Sequence, residues 1–132
     1  MDRVFLDANV LFSAAYRARA GLARLWTLSD STLVTSQYAI EEARRNLNQP
    51  EQQARLDELI QALGEIVQDE DVVGGTVEDV ELPAKDWPIL LAAIAAKATH
   101  LLTGDVRHFG ACFGQSIAGV RVMLPAEYLR GK

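Results

Sequence analysis

Short, wholly apolar runs alternate with stretches of helical period along this chain, and that alternation restricts its fold more than any other feature. Val4-Phe5-Leu6, Thr32-Leu33-Val34-Thr35 and Leu101-Leu102-Thr103 are strand-length runs of the kind buried on both faces. Between them Leu11, Ala14, Ala15 and Ala18 recur at i, i+3, i+4 and i+7, and Leu56, Leu59, Ile60 and Leu63 form a second apolar stripe. Strands separated by helices predict the α/β class, with a central parallel sheet covered on both faces.

Local signals punctuate this pattern. Gly21 breaks the first helix, and Leu22, Leu25 and Trp26 start another. Ser36 is a good N-cap for a helix running to about Leu47. Pro50 opens the next helix and Gly64 ends it. Glu65-Ile66-Val67 reads as a short strand, and Gly74-Gly75 marks a turn. Asp86 before Trp87-Pro88 signals a helix through about Ala98, apolar nearly all round and so deeply buried. A short helix around His108 to Phe113, a strand from Val120 to Leu124 and a terminal helix opened by Pro125 and containing Tyr128 complete the reading.

Composition sets the class. The 132 residues, 49% hydrophobic and 23% charged, predict one domain over 1–132 with a core that needs no disulfide or structural metal. The single cysteine, Cys112, excludes an internal disulfide and a cysteine-based zinc site, which suits a reducing compartment. Asp7 interrupts any signal-peptide layout, and the longest apolar run, Pro88 to Ala96, is far below the roughly 20 residues that span a bilayer. A cytoplasmic protein without a membrane partner is expected. The net charge of −5 excludes a strongly basic, histone-like binder. Much of the acid sits in a solvated stretch from Gly64 to Lys85, and the rest of the chain is close to neutral, so a nucleic-acid partner stays compatible.

In parallel α/β sheets the site lies outside the carboxyl ends of the strands. Asp7 follows Val4-Phe5-Leu6, and Asp105 follows Leu101-Leu102-Thr103-Gly104. A charge at the end of a buried strand is costly unless it caps a helix, pairs or binds metal. Asp86 stands at an N-cap position, and a helix N-terminus at this sheet edge can also aim a carboxylate at the site. On the helix after the second strand, Ala39, Ile40, Ala43 and Leu47 define the inward stripe. Glu42 lies at its margin and Glu41 somewhat further round, so periodicity prefers Glu42 only slightly. Four carboxylates converging at one edge would repel one another unless a cation joined them, and oxygen ligands suit Mg²⁺ or Mn²⁺.

Together these segments resemble the PIN-domain family. The resemblance rests on Val4-Phe5-Leu6-Asp7-Ala8-Asn9-Val10-Leu11, on Thr35-Ser36 with Glu42 six residues after the serine, on Lys85-Asp86-Trp87-Pro88-Ile89-Leu90, and on Leu101-Leu102-Thr103-Gly104-Asp105-Val106-Arg107-His108-Phe109-Gly110. It implies a three-layer α/β/α sandwich around a central parallel sheet and Mg²⁺- or Mn²⁺-dependent endoribonuclease activity. Matched motif by motif, Asp7, Glu42, Asp86 and Asp105 are the implied catalytic cluster, with Asp7, Asp86 and Asp105 as metal ligands. Asn9 and Thr103 fall at the family's supporting positions. Some members carry a further acid after the last aspartate; here Arg107 and His108 occupy those places, which argues against a second metal ion. His108 is expected to pack or cap locally.

Small members resemble VapC-type toxins, so the likeness also implies a homodimer and a cognate antitoxin as partner. Arg107, Arg44 and Arg45 are candidate contacts to RNA phosphate, with Arg17, Arg19 and Arg24 clustered nearby. The alternative reading is a non-catalytic PIN-fold module that binds RNA or protein. Two other strand-end aspartate chemistries fit less well. A haloacid-dehalogenase-type phosphatase needs an aspartate where Asn9 stands, and a receiver domain needs a late lysine, whereas none lies between Lys97 and Lys132.

Overall fold

The computed structural model describes residues 1–132. Six strands form one sheet in the order β3-β2-β1-β4-β6-β5. They are β1 (Asp2–Leu6), β2 (Ser31–Ser36), β3 (Glu65–Val67), β4 (His100–Leu102), β5 (Ser116–Ile117) and β6 (Val120–Met123). The pairings β1–β2, β2–β3, β1–β4 and β4–β6 are parallel. Val4, Phe5 and Leu6 on β1 and Leu101 and Leu102 on β4 are 0% exposed, as expected of central strands covered on both faces.

The central sheet is parallel as expected, and one edge strand that the sequence reading did not include is antiparallel. β5 runs antiparallel to β6 at the edge. Ala118 and Gly119 join them, both at positive φ (50° and 86°), as a two-residue primed turn requires. Ser116-Ile117 is too short to announce itself by period, and its turn lacks the usual Asn-Gly signature.

The helices are α1 (Ala8–Tyr16), α2 (Gln37–Asn46), α3 (Pro50–Gln61), α4 (Trp87–Ala95), α5 (Val106–Phe109) and α6 (Pro125–Arg130). α1 packs against α2 and α3. The chain steps outward from β1 to β2 to β3, then returns past β1 to β4. Right-handed crossovers place α1–α3 on one face and α4 on the other, giving the three-layer α/β/α sandwich. No helix is long and apolar enough to cross a membrane.

Several boundaries differ from the sequence reading, for local reasons. α1 stops at Tyr16, so Ala18 is exposed, and Arg19 sits at φ 61°. Gly21 opens a 3₁₀ turn over Gly21–Thr27, and the second helix expected there does not form. α4 ends at Ala95 because Lys97 turns into the left-handed region (φ 56°). α5 spans Val106–Phe109, and a 3₁₀ turn over Gly110–Cys112 replaces its expected last residues. The acidic stretch is exposed, as expected of a solvated loop, but Val72, Val77, Val80 and Leu82 pin it to the core.

The order places the reversal of the chain between β1 and β4, where an α/β sheet opens a crevice at its carboxyl edge. Registers Leu6↔Leu102 and Phe5↔Val34 bring the ends of β1, β4 and β2 level. The buried Thr35 hydroxyl donates to the Leu6 carbonyl at 2.7 Å, tying β2 to β1 one residue before Asp7. Replacing Thr35 by Val keeps the shape and removes this bond. It should cost about 1–2 kcal/mol in urea unfolding, and an unchanged midpoint would remove the bond from the account of this edge.

Candidate active site

The carboxyl edge at β1/β4 holds a cleft of about 370 Å³ lined by Asp7, Glu42, Asp86 and Asp105. The four acids come from four elements. Asp7 follows β1, Glu42 is on α2, Asp86 precedes α4 and Asp105 precedes α5. Lys85 is the one cation lining the cleft. Of the neighbouring glutamates, Glu42 is half-buried in the cleft, whereas Glu41 is exposed and accepts from the Gln37 side chain at 3.3 Å.

Asp7 is 4% exposed and is held from two sides. One oxygen, Oδ1, accepts from the Ala8 N–H at 2.6 Å, which caps α1. The other, Oδ2, accepts from the Thr103 hydroxyl at 2.8 Å. Thr103 Oγ1 in turn accepts from the Asp105 N–H at 3.1 Å and from Asn9 Nδ2 at 3.2 Å. A hydroxyl has one donor and two acceptor sites, so that of Thr103 is fully used. Asn9 completes the mesh: Nδ2 reaches Asp7 Oδ2 at 3.3 Å and Oδ1 accepts the Gly104 N–H at 2.8 Å. The first and last aspartates are thus locked together through Thr103 and Asn9.

Asp105 caps α5, its Oδ1 accepting from the His108 N–H at 3.0 Å. Asp86 behaves differently from the simple cap its position suggested. Its side chain makes no capping bond. It is buried, and Oδ2 lies 2.8 Å from His108 Nδ1, which is also 2.9 Å from Asp105 Oδ2. Neither Asp86 Oδ2 nor His108 Nδ1 has an aligned hydrogen-bond partner.

Burial pushes the Asp7 carboxyl up to about 6; the Thr103 and Ala8 bonds oppose this, and the charges of Glu42 and Asp86 add to it. Burial also raises Asp86, with His108 opposing and Asp105 reinforcing. These are the signs of acids that burial and neighbouring acids together push toward their neutral forms. The donor set is all oxygen apart from His108. Asp86, Asp105 and His108 bring one donor atom each within 4.8 Å of the others and could hold a divalent cation, while Asp7 and Glu42 line the same cleft.

Sequence reasoning missed three groups here. Tyr38 donates its hydroxyl to the Lys85 carbonyl at 2.7 Å, fastening the loop before Asp86 to α2. Lys85 and Asn46 line the cleft. Asn46 stands one turn after Glu42 and donates to the Glu42 carbonyl at 2.9 Å, a spacing readable only once Glu42 was fixed as the inward acid.

The candidate RNA-binding arginines do not line the cleft. Arg44 is engaged on α3, by Gln53 at 2.9 Å and Asp57 at 2.8 Å. Arg45 and Arg107 are exposed. Arg17 and Arg24 line a separate groove beside α1, and Arg19 is exposed.

Fold and site together define a mostly parallel α/β/α sandwich with an acidic cleft at its topological switch. The PIN domain family profile matches residues 3–107, and the chain belongs to that family. Among solved structures it is similar to VapBC2 from Rickettsia felis, bound to a DNA fragment from their promoter. The identity is 17%, the TM-score is 0.63, and the match covers 91% of this chain and 96% of that one. Among curated proteins no sequence match is found.

The crowding of Asp7 predicts a gain from its neutralisation. Without metal, the folded protein holds a proton on Asp7 between its ordinary 3.8 and about 6 that the unfolded chain has released. The associated stability is present below about pH 4 and lost as the pH rises through about 6. In EDTA, Asp7→Asn should therefore be more stable than the parent at pH 7.5, by about 1–3 kcal/mol, with the gain vanishing near pH 4. Denaturant titrations at both pH values check this, and a destabilised variant at pH 7.5 would contradict it.

Proposed function

We propose that this protein is a divalent-metal-dependent endoribonuclease whose working groups are Asp7, Glu42, Asp86 and Asp105. The observation that carries the reading is the convergence of four carboxylates from four elements on one cleft with a single lysine beside them. A phosphodiester is an anion and would be repelled from such a cleft in the absence of a cation. Asp7, Asp86 and Asp105 would hold Mg²⁺ or Mn²⁺. When bound, that ion supplies charge neutralisation and Lewis acidity toward the phosphate and the attacking water.

The remaining work falls to the chain. Thr103 and the Ala8 N–H hold Asp7 in one orientation. The α5 N-cap bond does the same for Asp105, and Tyr38 steadies the loop that presents Asp86. Such locked rotamers keep a site within the narrow tolerance that catalysis needs. Glu42 is the acid free to orient a water and take its proton at the carboxylate. The water oxygen joins phosphorus as the bridging P–O bond breaks, and the proton passes to the departing oxygen. Phosphate contacts would come from the exposed Arg107 and Arg45. Arg44 is committed to Asp57 and is the weaker candidate.

Family membership and the VapBC2 likeness support a place among VapC-type toxins, with a cognate antitoxin as protein partner and a homodimer as the working form. A cytoplasmic location fits that role.

Cleavage of a mixed single-stranded and structured RNA pool, with Mg²⁺, Mn²⁺ or EDTA, tests the reading. Activity should require the ion and fall by about 100-fold or more in Asp7→Asn, Asp86→Asn and Asp105→Asn. EDTA-resistant cleavage, or full activity in Asp7→Asn, would overturn it. Metal binding without cleavage of any RNA by the folded parent would favour a non-catalytic binding module.

A further inference from the structure

Beside the cleft, one residue in contact with its acids adds nitrogen to the carboxylate set. His108 stands one turn after Asp105. Its Nδ1 lies 2.8 Å from Asp86 Oδ2 and 2.9 Å from Asp105 Oδ2. One donor atom from each of the three residues falls within 4.8 Å of the others.

At 2.8 and 2.9 Å these are ion-pair contacts, made without the alignment of a good hydrogen bond. Asp86 is 7% exposed, and its Oδ2 is buried with no aligned donor. His108 Nδ1 is likewise buried and has no aligned acceptor. The ring nitrogen and one oxygen of each carboxylate lie together at this point. Neighbouring ligands of an octahedral ion with bonds of about 2.0–2.2 Å are separated by about 2.8–3.1 Å. The two N···O separations allow such an edge and lie equally in the ordinary hydrogen-bond range.

We propose that His108 Nδ1 is a ligand of the divalent cation beside Asp86 and Asp105, and that this nitrogen makes the site prefer Mn²⁺ to Mg²⁺. The inference rests on the reading that the cleft holds a cation. Its chemistry is that of donor softness. Mg²⁺ selects oxygen and keeps much of its water, whereas imidazole nitrogen is accepted more readily by transition ions. Ligation through Nδ1 takes the neutral ring with its proton on Nε2. Asp105 holds the first turn of α5 through the His108 N–H, which fixes the backbone from which the ring projects.

The chain offers a clean spectroscopic test, because it has only two histidines. His100 starts β4 at the opposite edge of the sheet, packed edge-on to Tyr128 with ring centroids 5.0 Å apart. The full-length protein, stripped with EDTA and exchanged into metal-free buffer, would be titrated with Mn²⁺ alone and examined by electron spin-echo modulation. An imidazole ¹⁴N coupling is expected in the parent and in His100→Gln, and it should vanish in His108→Asp. That variant keeps a donor and should still bind Mn²⁺. Its preference for Mn²⁺ over Mg²⁺, read by competition, should fall by about tenfold. Circular dichroism confirms that each variant is folded.

Mn²⁺ bound without a nitrogen coupling in the parent would overturn this inference and leave the carboxylate site standing. A coupling that persists in His108→Asp, or an unchanged metal preference in that variant, would overturn it equally. Failure of the folded parent to bind Mn²⁺ would overturn both this inference and the cation reading beneath it.

Discussion

The pairing of β1 with β4 is the constraint on which the site depends. Its register sets Leu6 opposite Leu102, so the next residues, Asp7 and Thr103, meet at the end of the ladder. A single hydroxyl then serves three groups at once. Thr103 donates to Asp7 and accepts from Asn9 and from the Asp105 backbone. Removing Thr103 would leave Asp7 buried with one fewer donor and Asp105 without its anchor. The two strands supply the hydrophobic burial that holds the register, and the register supplies the hydrogen bonds that orient the acids. A slip of one residue would turn every side chain of a strand to the other face and dismantle the cleft.

Against this rigid frame stands an electrostatic imbalance. Asp7 and Asp86 are buried, and each is pushed toward its neutral form by burial and by neighbouring acids. A fold selected for stability alone would not gather such groups, since a buried charge without a partner is among the costliest features a core can carry. Asp7 is partly compensated by three hydrogen bonds. Asp86 has the close approach of His108 instead, without hydrogen-bond alignment. Strain of this kind concentrates at functional sites. The backbone around it is ordinary, with Asp7 and Ser36 both extended at their caps. The imbalance therefore lies in charge and not in backbone geometry.

Much of the architecture could be read directly from the chain because its signals are local. β1, β2 and β4 are apolar runs at the expected places, Ser36 caps α2 through the Ala39 N–H at 3.2 Å, and Pro50 opens α3. The placement of Asp7 and Asp105 at strand ends needed only the run of apolar residues before them and the general rule for parallel sheets. Errors fell where the signal was short or the conformation special. The β5–β6 hairpin turns on two residues, α4 is cut short by the left-handed Lys97, and the segment after Gly21 makes 3₁₀ turns in place of a helix.

By itself, then, the sequence determined the class of fold, the order of its elements and the two aspartates at the heart of the cleft, because hydrophobic period and strand-end charge are properties of neighbouring residues. Only the tertiary structure decided how distant groups meet. It set Glu42 in the cleft and left Glu41 exposed with Gln37. It withdrew Arg44 to Asp57, brought the Tyr38 hydroxyl to the loop before Asp86, and set His108 between Asp86 and Asp105. Apart from the i, i+4 pair Gln37–Glu41 within α2 and the i, i+3 pair Asp105–His108, these contacts join groups well apart along the chain, up to 47 residues in the case of the Tyr38 hydroxyl and the Lys85 carbonyl. No periodicity along the chain encodes such a contact; it exists only after the sheet has closed its register and the helices have packed on it.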